Sequence, residues 1–103
     1  MTHHPKTNEE YDQLKQTDKV VVVDFSATWC GPCKMIAPHF EEYSGIYTDM
    51  VFIKVDVDEI TDHADTDDIR SIPCFKFFKN GLMIDTMKGT NKDTLLNLIN
   101  KHK

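Results

Sequence analysis

The order of apolar and polar positions divides the 103-residue chain into stretches of different period. Near the start, "TNEE" sets Thr7 three residues before Glu10, the spacing of a capping box, and Tyr11 and Leu14 follow at helical intervals. A short helix is expected over about residues 8 to 16. The next stretch, "KVVVVDFSA", is a β-branched apolar run of the kind that forms a strand buried on both faces, as in a parallel sheet, and Asp24 is the anomaly in it. From Cys33 onward Met35, Ile36, Phe40, Tyr43 and Ile46 recur with helical spacing, and Pro38 inside that pattern is expected to kink the helix rather than end it. "MVFIKVDV" reads as a second apolar strand.

Strand, helix and strand make a βαβ unit, whose crossover is right-handed and whose strands lie parallel. An acidic segment with room for a short third helix comes next, and then "IPCFKFFKNGLMIDTMKG" sets Asn80-Gly81 between two β-rich runs. That pair is a hairpin signal, so this end of the sheet is expected to be antiparallel. Asn91 caps a C-terminal helix carrying Leu95, Leu96, Leu98 and Ile99. The pattern predicts an α/β fold, a small mixed sheet with helices on both faces. No repeat, low-complexity tract or linker divides it, so one domain over residues 1–103 is expected.

Composition narrows the class. With 40% hydrophobic and 28% charged residues the chain is expected to be folded and soluble. The longest apolar run, Val20 to Val23, is far below membrane-spanning length, and "MTHHPKTNEE" lacks a basic region followed by an apolar one, so a cytoplasmic protein without a membrane partner is expected. A net charge of −5 argues against nucleic-acid binding, which needs clustered Lys and Arg. The acidity is concentrated between Asp56 and Asp68, where Asp56, Asp58, Glu59, Asp62, Asp65, Asp67 and Asp68 occur without a Lys or Arg. A solvated face is the simpler reading of that segment and a docking patch the other. His3 and His4 are expected in a solvated tail rather than in a metal site.

The candidate chemistry lies in "WCGPCK", residues 29 to 34. Structural zinc would need four ligands, and only Cys74 and scattered histidines remain to join the pair. A redox reading gains from position. Cys30 falls where a strand gives way to a helix, and the unpaired N–H groups and dipole of a helix N-terminus favour the thiolate, which is the nucleophile. Cys33, one turn further in, can close a short disulfide onto Cys30 as the resolving thiol. Pro32 suits the first helical turn, where its missing N–H costs nothing.

Taken together, "VVVDFSATWCGPCKMIAP", "VFIKVDVDE", "SIPCFKFFKNG" and "KGTNKDTLLNLI" resemble the thioredoxin family over nearly the whole chain. The resemblance implies a thioredoxin fold, with about five strands and four helices, and a protein disulfide reductase. It makes Cys30 the attacking nucleophile, Cys33 the resolving thiol, and the two together a redox-active disulfide. Asp24 becomes the proton acceptor behind Cys33, with Lys54 of the next strand beside it; a purely structural Asp24 is the alternative. Trp29, Gly31 and Pro32 join the substrate surface, with Ile72-Pro73 as a cis peptide whose backbone meets an extended substrate. Gly89 would admit that chain, although a strand-end glycine is the plainer reading, and Trp29 could equally be a core residue. No bound cofactor is implied. Electrons would come from NADPH through thioredoxin reductase and go to disulfide proteins such as peroxiredoxins and ribonucleotide reductase, the protein acting as a monomer. A redox-gated binding module is the rival function.

The chain departs from the family pattern twice. Position 74 is usually threonine and here is Cys74, read either as a small core residue or as a regulatory thiol. Asp67 replaces an aromatic or apolar residue, so the helix before Ile72 is expected to be poorly packed.

Overall fold

In the computed structural model, which describes residues 1–103, the run Val21–Ser26 forms a strand that is buried at every position. A strand buried at every position belongs in the middle of a sheet, with strands paired to both of its edges and helices packed on both of its faces. In chain order the strands are β1 (Thr2–His3), β2 (Val21–Ser26), β3 (Val51–Asp56), β4 (Cys74–Lys79) and β5 (Leu82–Lys88). They lie side by side in the order β1-β3-β2-β4-β5, with β1 and β2 parallel to β3 and with β4 antiparallel to both β2 and β5. The helices are α1 (Asn8–Lys15), α2 (Gly31–Ile46), α3 (Ala64–Asp67) and α4 (Lys92–His102). This is the expected five-stranded mixed sheet with four helices.

Alternation along the strands separates two cores. On one face Val22, Phe52, Phe75 and Phe77 meet Ile36, Phe40 and Tyr43 of α2 and Leu95 and Ile99 of α4. On the other, Val21, Val23, Phe25, Ile53, Val55, Cys74 and Phe78 meet Tyr11 of α1 and Ile60. Asp24 lies two residues after Val22, so the pleat turns it toward the α2 face.

Local chemistry sets the ends of these elements. Thr7 accepts the Glu10 N–H at 3.1 Å, but the Glu10 carboxylate accepts from the Lys6 N–H, so the capping box closes one residue early. Asn91 accepts from the N–H groups of both Asp93 and Thr94. Asn80 and Gly81 have φ of 52° and 80°, the left-handed pair that a two-residue hairpin turn needs.

Three expectations need correction. Met35 and Ile46 are exposed, because the buried stripe of α2 is Cys33, Ile36, Phe40 and Tyr43. Met35 and Ile46, eleven residues apart, lie within about 20° of each other and roughly 100° around the helix from the middle of that stripe; Tyr47, which is in phase, packs against the core just past the helix end. α2 runs on through Pro38. His3 is not in a free tail: Thr2–His3 pairs with Phe52 and Ile53 of β3. Nor is the acidic segment uniformly solvated. Asp65 accepts from the Tyr11 hydroxyl at 2.7 Å and from Lys15 Nζ, and Asp68 pairs with Lys76 Nζ at 2.7 Å. Tyr11 and Lys15 are remote in sequence and Lys76 sits on the following strand, so only folding brings these donors there. No helix is long and apolar enough to cross a membrane.

Candidate functional site

The site is built where β2 ends and α2 begins. Cys30 is the N-cap of α2, and its sulfur accepts the Cys33 N–H at 3.2 Å, one of the donors a helix start leaves unpaired. The two cysteines are joined by a disulfide, with Cα atoms 5.3 Å apart. Gly31 and Pro32 form the first helical positions between them. Both cysteines pack with Ala27 in a small cluster against Val57 and Ile72, so only an edge of the disulfide reaches the surface.

Around that edge the residues named from the sequence come together. Trp29 is 68% exposed, and its indole N–H donates to Asp58 at 2.9 Å, which holds the ring beside the disulfide. The Ile72-Pro73 peptide is cis, and the Ile72 carbonyl oxygen lies 3.9 Å from Cys30 Sγ. Gly89 donates its N–H to the Pro73 carbonyl at 3.1 Å. It has a φ of 99°, and an added Cβ would meet nothing within 4 Å, so backbone conformation rather than crowding calls for glycine here. A groove of about 780 Å³ opens beside these residues, lined by Trp29, Cys30, Pro32, Val57, Ile69 and Ile72 among others. It is a trough with apolar residues beside the disulfide, polar ones such as Asp62, Thr66 and Arg70 further along, and an electrophilic sulfur in it, a shape that fits an extended chain carrying a cysteine.

Asp24 is fully buried, and neither of its carboxylate oxygens has a hydrogen-bond partner. Burial raises its pKa from 3.8 to about 7, and the neighbouring Lys54 ammonium offsets part of that rise. The two residues are lateral partners in the β2–β3 register. A second hollow of about 510 Å³, lined by Ser26, Thr28, Cys33, Lys34, Lys54 and Asp56 among others, brings solvent to the Cys33 side of the disulfide. The arrangement can therefore do two things: present a sulfur to an incoming thiol or disulfide in front, and hold or release a proton behind.

Cys74 stands apart from this. It is buried in the core under α1, not in the cluster around the disulfide, and burial pushes its thiol pKa up. Both properties favour the small core residue over the regulatory thiol. α3 is a single turn with no buried residue, in line with what Asp67 led one to expect. No group of three or more His, Cys, Asp or Glu is placed to hold a metal ion. Reading the sequence missed Asp58, because nothing along the chain shows that the acidic segment passes Trp29. It also missed Lys76, whose only signal was a charge between the apolar residues Phe75 and Phe77 of β4.

Comparison with known proteins agrees with this geometry. The family model described as Thioredoxin matches residues 2–101. Thioredoxin 1 of Plasmodium falciparum is 50% identical over 93 residues, covering 90% of this chain and 89% of that one. Human thioredoxin is 49% identical over 84 residues, covering 82% and 80%. A solved structure of Plasmodium falciparum thioredoxin superposes with a TM-score of 0.90 at 47% identity, covering 98% of this chain and 99% of that one.

Proposed function

The chain belongs to the thioredoxin family, and on that premise we propose how its residues divide the work of reducing a protein disulfide. The protein is a thiol–disulfide oxidoreductase whose Cys30 and Cys33 alternate between dithiol and disulfide. The Cys30 thiolate attacks one sulfur of the substrate disulfide. A bond forms between Cys30 and that sulfur, and the other substrate sulfur leaves as a thiolate and takes a proton from water. Cys33 gives its proton to Asp24, directly or through a water, and attacks Cys30 Sγ; the mixed disulfide breaks and the second substrate thiolate leaves. Two electrons have then passed to the substrate, and the chain is left with its Cys30–Cys33 disulfide.

A carboxyl whose pKa lies at about 7 suits the proton transfer, since it can accept and release a proton near neutrality. Lys54 keeps that value from rising further. Trp29, Gly31, Pro32, Ile72, Pro73 and Gly89 form the surface that takes the substrate chain, with the Ile72 backbone pairing to it. The oxidised protein is recycled by an NADPH-dependent thioredoxin reductase, and peroxiredoxins and ribonucleotide reductase are among the recipients. The cytoplasm, where thiols are kept reduced, is the compartment this cycle suits. Residues 1–103 act as one domain, as a monomer and without a bound cofactor.

The observation that carries the reading is the Cys30–Cys33 pair at the start of α2, beside an open groove. It is tested by turnover of insulin disulfides with NADPH and a thioredoxin reductase, with Cys30→Ser as control. Sustained NADPH oxidation by the parent alone is expected. Binding of partners without turnover would favour the redox-gated module instead.

A further inference from the structure

Lys76 is the third residue of β4, on the face that packs under α1, and it is only 6% exposed. A buried ammonium is costly unless it is paired and hydrogen-bonded, and an aliphatic side chain would fill this position without that cost. Its stem carries the charge across Phe25, 5.5 Å from the ring centroid. The ammonium then donates to the Asp65 carbonyl at 2.8 Å and to the Asp68 carboxylate at 2.7 Å. Both acceptors belong to the single turn of α3 and its C-cap.

That turn has little else to hold it. Four residues are too few to be stable as a helix alone, and none of them is buried. Within the turn the fixing contacts are polar: Lys76 from β4, Tyr11 and Lys15 from α1 on the Asp65 carboxylate, and His63 Nε2 at 2.7 Å from Asp12; Ile69, just after it, adds an apolar contact with the core under α1. Thr66 and Asp67 in the turn, and Ile69, Arg70 and Ser71 after it, line the groove. β4 itself starts directly after Pro73. Lys76 therefore ties one wall of the groove to the strand that follows its Ile72 edge.

We infer that Lys76 and Asp68 form a clamp that positions the groove wall and so governs how well a protein disulfide, as distinct from a small one, is held for reaction with Cys30. The inference rests on the reading that this groove takes the substrate chain. A small disulfide needs only access to the Cys30 sulfur. An extended protein segment must also fit along Ile72 and residues 66–71, and the energy from those remote contacts is what positions the reacting sulfur. Lys76 and Asp68 touch no reacting atom; they are positioning residues.

The test uses the pre-reduced full chain in single-turnover reactions with insulin and, separately, with hydroxyethyl disulfide. Three variants are compared with the parent. Asp68→Asn alters a side chain that is 69% exposed, so the fold survives it. Lys76→Met removes the charge and keeps the length, and Lys76→Arg keeps the charge. In Asp68→Asn and Lys76→Met the insulin rate constant is expected to fall roughly five- to tenfold, with the hydroxyethyl disulfide rate unchanged. Lys76→Arg should behave as the parent. A clamp that merely stabilised the fold would lower thermal stability and leave the ratio of the two rates alone, and that result would overturn the inference. So would an equal fall in both rates. Trp29→Ala separates this inference from the reading beneath it. If Trp29→Ala slows insulin selectively and folded Asp68→Asn does not, the clamp is wrong and the groove stands. If neither variant discriminates between the substrates, the groove reading fails and the clamp fails with it.

Discussion

Asp24 is the residue where a stability effect and a chemical one have the same cause. Its folded pKa lies above its unfolded value of 3.8, so between pH 3.8 and about 7 the folded state holds more proton than the unfolded one, and stability falls as pH rises. The full loss, present above pH 7, is about 4 kcal/mol. Asp24→Asn should therefore raise the stability of the oxidised protein by roughly 2–4 kcal/mol at pH 8 and by little at pH 4. Urea unfolding at the two pH values checks this; an equal gain at both would mean that Asp24 is not buried as a carboxylate. The same variant should slow release of the mixed disulfide by roughly tenfold or more while the first attack by Cys30 is less affected. Equal slowing of both steps in rapid-quench experiments would reject the proton-acceptor role. Cys74 gives a contrasting case, because burial withholds a thiol from reaction. Treatment with oxidised glutathione should leave it unmodified, as read by intact-protein mass spectrometry, until denaturant is added. A Cys74 adduct on the folded protein would restore the regulatory reading.

At the scale of elements, short-range chemistry explains most of what the chain does. Thr7, Asn91 and the Asn80-Gly81 pair each act on backbone groups within three residues, so their effect could be read from the order of residues alone. Asn91 accepts two N–H groups at the start of α4, and Asn91→Ala should cost about 1 kcal/mol without changing insulin turnover, since α4 lies away from the groove. A shifted urea midpoint with an unchanged rate is the expected pair of results. α2 was legible for the same reason along one stripe only. Ile36, Phe40 and Tyr43 follow the helical period into the core, whereas Met35 shares the composition of that stripe but not its direction. Apolar character does not by itself say which face a residue occupies. α3 is the opposite case, a turn with no apolar stripe, and its geometry comes from Lys76, Tyr11 and Lys15 on other elements.

For the molecule as a whole, the two cores share one sheet, with β2 contributing to both. Its radius of gyration of 12.3 Å matches the roughly 13 Å of a single compact unit of this length. Unfolding followed by far-ultraviolet circular dichroism and by Trp29 fluorescence should give one coincident transition, and separated midpoints would reject the one-domain proposal. Periodicity, caps, the hairpin pair and the WCGPCK motif were enough to determine four of the five strands, the three longer helices, the mixed sheet and the dithiol, because each depends on residues close along the chain; the short edge strand β1 was not among them. The pairing of Trp29 with Asp58, the unpartnered burial of Asp24, the burial of Cys74 and the anchoring of Asp65 and Asp68 by Tyr11, Lys15 and Lys76 were decided only by the tertiary structure. The reason is physical. Burial and long-range hydrogen bonds depend on which surfaces close over a group, and nothing in its own neighbourhood along the chain encodes that closure.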